Sequence, residues 1–199
     1  MIESANYLSI SSVGRLKLMA KSYNSLNSDL KRFIKEQKIF FVASAAKTGN
    51  VNLSPKGYDS LRIIDDSLIC YLDYPGSGNE TAIHMMEDGR VTIMFCSFTK
   101  NPLIMKIYGK GEPLLPDDER FPEYFKLFDV ETNEISSEIV RQIFLIKIDS
   151  VLTSCGYGVP FFDYVGERDQ LKSWAVKKAK AGTLGEFMGK LKKILPMGT

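Results

Sequence analysis

Residues 90–108 decide the fold. Arg90-Val-Thr-Ile-Met-Phe-Cys-Ser-Phe98 and Leu103-Ile-Met-Lys-Ile-Tyr108 are two strand-forming runs, with Asn101-Pro102 between them as a turn. β-branched and aromatic residues fill both runs, and Asn-Pro punctuates the gap. A gap this short has no room for a helical crossover, so the two strands run antiparallel. The pattern repeats outward. Ile39-Phe-Phe-Val-Ala-Ser-Ala45 predicts a strand, Lys47-Thr-Gly-Asn50 a turn, and Val51-Asn-Leu53 the start of a return strand. Leu61-Arg-Ile-Ile64 and Leu68-Ile-Cys-Tyr-Leu72 flank Asp65-Asp-Ser67 as a second hairpin. Ile143-Phe-Leu-Ile-Lys-Ile-Asp149 is a further strand.

The helical signals sit outside these strands. Leu26, Leu30, Phe33 and Ile34 recur at helical spacing over 26–37. A second helix spans 79–88 and is stopped by Gly89. Two short helices are predicted over 117–128 and 134–142, and a helical stretch over 166–195. The last opens on Gly166-Glu-Arg-Asp-Gln, with acids in its first turn. Strands cluster without alternating with long helices, which predicts an α+β fold on a small antiparallel barrel and argues against a doubly wound sheet.

Composition narrows the function. With 44% hydrophobic and 25% charged residues among 199, the chain is neither collagen-like, disordered nor a disulfide scaffold. Its 26 basic and 24 acidic residues give a net +2, so no nucleic-acid partner is expected. Residues 172–199 carry seven lysines against Glu186 and hold +6, which leaves −4 on the rest. That tract reads as the solvated face of docking helices, with Leu184, Phe187, Met188, Leu191 and Leu195 on the apolar side. Cys70, Cys96 and Cys155 form no CxxC pair, and one histidine is present, so no metal site is expected. Sparse cysteines, the absence of an apolar run of about 20 residues, and an N-terminus without a basic, apolar leader give the expectation of a cytoplasmic protein with no membrane partner.

Two polar segments carry the chemistry. Ser54-Pro-Lys-Gly57, between two strands, offers a hydroxyl, a cation and a backbone that a ligand can approach. As a tetrapeptide it also reads as a surface turn. Gly76-Ser-Gly-Asn-Glu-Thr81 precedes the second helix, whose free N–H groups favour an anion. Ser77 or Asn79 could equally do no more than cap that helix. The segment is neither GxGxxG nor a Walker loop. Together the two segments flank the hairpin at 61–72 and are expected at one barrel mouth, gripping a phosphate from two sides. Arg62 and Lys106 are expected on neighbouring strands, extending the positive patch. His84 reads as a surface or packed helix histidine and Cys155 as a structural thiol. Tyr157 reads either as a ring that stacks on a ligand or as a lid over a core edge.

The runs Asn52-Leu-Ser-Pro-Lys-Gly-Tyr-Asp59, Tyr71-Leu-Asp-Tyr-Pro-Gly-Ser-Gly-Asn-Glu-Thr-Ala82 and Glu87-Asp-Gly-Arg-Val-Thr-Ile-Met-Phe-Cys-Ser-Phe98 resemble the pyridoxamine 5'-phosphate oxidase-related FMN-binding proteins. Lys106-Ile-Tyr-Gly-Lys-Gly111 and Thr153-Ser-Cys-Gly-Tyr-Gly-Val-Pro160 fit one uncharacterised branch of them. The resemblance implies a split β-barrel with peripheral helices, usually a homodimer with FMN at the interface. The resemblance covers roughly residues 30–165; with the helical reading of the C-terminus, the chain is expected to form a barrel domain over 1–165, including an arm over 1–25, and a helical extension over 166–199 packing on the barrel or on the partner. The positions it assigns to the flavin are Ser54, Lys56 and Gly57, with Asp73, Ser77, Asn79 and Thr81 across the site. Arg62 is assigned to the phosphate or the pyrimidine edge of the ring, and Lys106 to the barrel floor. A cation beside the N1–C2 edge would favour the anionic reduced flavin, with Lys56, Arg62 or Lys106 as the candidate.

Two departures matter. Gly-Ser-Gly-Asn-Glu-Thr replaces a more basic pattern in the classical oxidase, so fewer cations would meet the phosphate. The Arg- and His-containing C-terminal signature that grips vitamin B6 is missing, and Phe161-Phe-Asp-Tyr-Val-Gly-Glu167 stands after Pro160 instead. The expectation is an FMN-binding oxidoreductase of an unidentified small molecule, with no residue singled out as acid or base. The alternatives are a flavin or haem carrier or sensor, and a deazaflavin-dependent split-barrel reductase.

Overall fold

Eight strands wind into one curled antiparallel sheet in a computed structural model that describes residues 20–76, 78–128 and 137–186. They are β1 (Lys21–Tyr23), β2 (Phe40–Ser44), β3 (Asn52–Lys56), β4 (Leu61–Ile63), β5 (Leu68–Asp73), β6 (Arg90–Cys96), β7 (Leu103–Leu114) and β8 (Gln142–Cys155). The order is β3-β2-β6-β7-β8-β5-β4, with β1 added on β8. The chain is an antiparallel split barrel with peripheral helices, as its sequence predicts. Its two edge strands, β3 and β4, are consecutive in the chain and are joined by residues 57–60 alone.

Side-chain alternation builds the barrel core. Val91, Ile93 and Phe95 of β6 point inward to meet Met105 and Ile107 of β7. Helix α1 (Ser28–Glu36) closes one side by burying Leu30, Phe33 and Ile34, and the Asn27 side chain accepts the Leu30 N–H at 2.9 Å to cap it. β5 is buried on both faces. Ile69 and Tyr71 join the barrel core, while Cys70 and Leu72 face a second cluster with Phe121, Phe128, Ala175 and Leu184. Burial on both faces explains its unbroken apolar sequence.

The structure corrects several boundaries. β7 does not stop at Tyr108 but runs on through Gly-Lys-Gly-Glu-Pro to Leu114. Gly109 is needed there because Tyr108 pairs with Ser150 and Gly109 with Ile148, so Asp149 is an extra residue on β8. A Cβ on Gly109 would collide with the Lys147 carbonyl. β8 likewise extends from 142 to 155. The predicted helices over 117–128 and 134–142 shrink to α3 (Phe121–Phe125) and a 3-10 turn, Ser137–Ile139, while residues 129–136 lie outside the described part. The C-terminal helix α4 (Gln170–Lys180) begins four residues after Gly166, whose φ of +150° departs from helical backbone. Its first turn carries no acid. β1 lies inside the stretch expected as an N-terminal arm and pairs with β8. Of the predicted apolar face, Leu184 packs in the second cluster, and Phe187, Met188, Leu191 and Leu195 lie outside the described residues. Among the described residues no helix is long and apolar enough to cross a membrane.

Double burial of β5 affects its proton chemistry. Burial pushes the Cys70 thiol up from 9.0 to about 12 and, chiefly through the same loss of water, holds the Tyr71 phenol well above its usual 10.0. Burial raises Tyr74 from 10.0 to about 12. The unfolded chain releases these protons from about pH 9 upward, whereas the folded chain keeps them, so folding loses stability as pH rises. The urea midpoint is expected to fall steadily between pH 9 and about 12. A midpoint that stays level across that range contradicts the burial assigned to β5.

Candidate functional site

The ends of β3 and β5 bring the two polar segments to one cavity of about 410 Å³. Its centre is Asp73, the last residue of β5 and 2% exposed. One carboxylate oxygen accepts from the Lys56 ammonium at 3.0 Å. The other accepts from the Arg141 guanidinium, Nε at 2.8 Å and Nη2 at 2.6 Å, and from the Gln142 amide at 2.8 Å. Two cations on one acid leave this cluster with a net positive charge, and Lys56 and Arg141 both line the cavity. Glu80 stands at the rim.

Neighbouring groups are held by the same network. Arg141 Nη1 donates to the Gly78 carbonyl at 2.7 Å, which ties down the loop before α2 (Glu80–Glu87). The Asn52 amide donates to the Thr81 hydroxyl at 2.9 Å, and the Ser54 hydroxyl donates to Asn52 Oδ1 at 3.3 Å. Asn79 precedes α2 but makes no side-chain cap, because its Oδ1 accepts from Gln142 at 2.7 Å. The first residues of the helix, Glu80 and Thr81, line the cavity, and the Ala82 N–H donates to the Asn79 carbonyl at 3.1 Å. Tyr74 forms part of the wall, and its buried hydroxyl has no partner among the described residues.

Ser54, Lys56, Gly57, Asp73, Asn79 and Thr81 all line this cavity. Ser54 and Lys56 do so from within β3 and not from a turn, with Pro55 tolerated because β3 is an edge strand. Ser77 lies outside the described residues. Arg62 lies elsewhere. Its guanidinium donates to the carbonyls of Asp59, Leu61 and Leu127, pairs with the Asp59 carboxylate at 3.1 Å and stacks 4.8 Å from the Phe128 ring. It lines a second cavity of about 740 Å³. The expectation that Arg62 and Lys106 sit on neighbouring strands is overturned, since β8 and β5 stand between β7 and β4. The chain leaves β7 and returns through 115–141, which inserts β8 there. Lys106 lines neither cavity. His84 Nδ1 is 3.0 Å from the Ser44 hydroxyl, a packing role, and neither His84, Cys155 nor the exposed Tyr157 reaches the site.

Arg141 is the cavity residue that the sequence pattern does not single out. It was assigned to the end of a predicted helix, and its partner Asp73 is 68 residues away. The only local signal was an isolated cation directly before an apolar strand. Its presence answers the shortage of cations in Gly76–Thr81 with one supplied from a distant segment.

A sequence profile of the pyridoxamine 5'-phosphate oxidase family matches residues 26–155. A pyridoxamine 5'-phosphate oxidase family protein, ustO, of Aspergillus flavus is 35% identical over 170 residues, 83% of this chain and 67% of that protein. The crystal structure of HupZ from Group A Streptococcus superposes with a TM-score of 0.51 at 18% identity, covering 63% of this chain and 91% of that one. A crystal structure described as a possible pyridoxamine 5'-phosphate oxidase of Lactobacillus delbrueckii gives 0.51 at 16% identity, covering 65% and 94%. At such identities the two structures speak to the fold.

Replacing Asp73 by Asn removes the charge that Lys56 and Arg141 share while keeping the shape. The loss of folding stability is expected to be about 3 kcal/mol, near the low end for one partner of a buried pair, because both cations keep some water. Urea unfolding of the variant measures it. A loss below about 0.5 kcal/mol, the scale of an ordinary surface change, refutes the central place given to this carboxylate.

Proposed function

The chain belongs to the pyridoxamine 5'-phosphate oxidase family, and we propose on that premise that it is an FMN-binding oxidoreductase of a small molecule other than vitamin B6. One observation carries the reading. Lys56 and Arg141 converge on Asp73 at a cavity that also presents the Ser54 and Thr81 hydroxyls and the start of a helix. That donor set fits a phosphate monoester, and the unpartnered Tyr74 hydroxyl adds a further hydrogen-bonding atom at the wall.

In this proposal Lys56 and Arg141 bind the phosphate, and Asp73 orients both cations. Thr81 and Ser54 hydrogen-bond it, and Gly57 lets the backbone approach. Ser77, between Gly76 and Gly78, belongs to the same set. Arg62 and Lys106 do not, given where they stand. The flavin, when bound, supplies the electron transfer. The missing B6 signature after Pro160 supports a different substrate. A homodimer completes the site. In its favour, the edge strand β3 and its approach expose Leu53 at 64% and Val51 at 70%, and the segment after β8 exposes Phe161 and Phe162. Three unpaired cysteines support a reducing, cytoplasmic setting.

Purified protein is expected to be yellow, and the yellow species to sediment at twice the chain mass. Lys56→Ala and Arg141→Ala should each weaken FMN binding by about 1–3 kcal/mol, the range for a lost charge-assisted hydrogen bond, as read by flavin fluorescence. Colourless protein that shows no thermal shift with FMN sinks the reading, and a yellow monomer sinks its interface. Reoxidation of the reduced protein by added acceptors separates an enzyme from a carrier.

A further inference from the structure

The second cavity, of about 740 Å³, is of the size that takes a small organic molecule. Its lining includes Lys31, Lys35, Lys38, Arg62 and Lys172 against Asp59 and Glu167. Two of the cations are already engaged, Lys31 with Asp66 at 2.6 Å and Arg62 with Asp59. Lys35, Lys38 and Lys172 make no ion pair among the described residues, and Glu167 is occupied as acceptor of the Tyr164 hydroxyl at 3.0 Å. Lys38 lies 5.7 Å over the Tyr164 ring and Lys172 lies 5.1 Å over the Tyr58 ring, so aromatic faces hold both ammonium groups at the cavity wall. Below them the surface is apolar, with Ile34, Phe40 and Phe95 each 5% exposed or less.

From this juxtaposition, a cationic rim above an aromatic floor, the geometry points to a binding site for a flat, conjugated organic acid. Its carboxylate or phosphate meets Lys35, Lys38 and Lys172, and its body lies on Phe40 and Phe95. Gly57, Tyr58 and Ser60 line both cavities. The acid therefore sits beside the proposed flavin site, and its place as the flavin's reaction partner rests on that reading, while its binding does not. Tyr164, Glu167 and Lys172 of this wall follow residue 155, where the family match ends. The shared turn is also unusual. Tyr58 and Asp59 both adopt the left-handed region, at φ of 62° and 51°, a conformation that non-glycine residues keep only when their surroundings enforce it.

Benzoate and phenyl phosphate serve as probes for the two acid types, and benzyl alcohol as the uncharged control. Each is titrated calorimetrically into the full chain, with and without FMN. At least one acid is expected to bind about tenfold or more tightly than the alcohol, and added salt should weaken the acid alone. The triple variant Lys35→Gln, Lys38→Gln, Lys172→Gln should lose about tenfold in acid affinity and keep its circular dichroism and FMN binding. Lys56→Ala should leave acid binding intact. Equal binding of the alcohol, or unchanged acid binding in a folded triple variant, overturns the proposal. Acid binding lost with Lys56→Ala but kept in the triple variant also overturns it, by placing the anion in the first cavity. Acid binding without FMN binding overturns the flavin reading and the acid's place beside a flavin. FMN binding without acid binding overturns the second site alone.

Discussion

A carboxylate that is 2% exposed cannot remain charged unless cations come to it, and the geometry of the site follows from that requirement at Asp73. Two segments distant from it in the chain meet on its two oxygens: Lys56 from β3, and the adjacent Arg141 and Gln142 at the start of β8. Arg141 then reaches on to the Gly78 carbonyl, which sets the loop ahead of α2. One buried acid thus organises both polar segments and holds an ammonium and a guanidinium at one cavity. A pocket of free cations alone would be set against its own repulsion. A shared counter-charge relieves that repulsion, and with Glu80 at the rim the two cations and two carboxylates of the lining balance.

The sheet supplies the frame. Its edges, β3 and β4, are adjacent in sequence yet at opposite ends of the strand order, so the four-residue link at 57–60 draws the barrel together. The same link divides the two cavities, with Gly57, Tyr58 and Ser60 facing each. Its left-handed residues, Tyr58 and Asp59, are held by packing of Tyr58 on Tyr74 and by the Asp59 pairing with Arg62. Closure of the barrel and separation of the two cavities are one structural event.

The C-terminal segment joins this frame from outside the family-matched part of the chain. Leu171 lines the first cavity and Lys172 the second, while Ala175 on the same helix packs into the cluster behind β5. The lysine-rich tail therefore does more than present a solvated face, because one of its lysines stands at a cavity wall.

The antiparallel barrel was legible in the sequence because each hairpin is a local event. The turns Lys47–Asn50, Asp65–Ser67 and Asn101–Pro102 lie between alternating or apolar runs, and short links permit only antiparallel neighbours. The pairing of Ser54-Pro-Lys-Gly57 with Gly76–Thr81 was legible for the same reason, since both flank one hairpin. What local pattern could not supply was the insertion of β8 between β7 and β5, which separates Lys106 from Arg62 and delivers Arg141 to Asp73. Nor could it show that Gly109 continues a strand, because the need for glycine comes from the Lys147 carbonyl on another strand. The amino-acid sequence by itself determined which segments pair with their neighbours and which residues carry charge. Only the tertiary structure decided which distant charges share a buried acid, because that is set by strand order and desolvation and not by spacing along the chain.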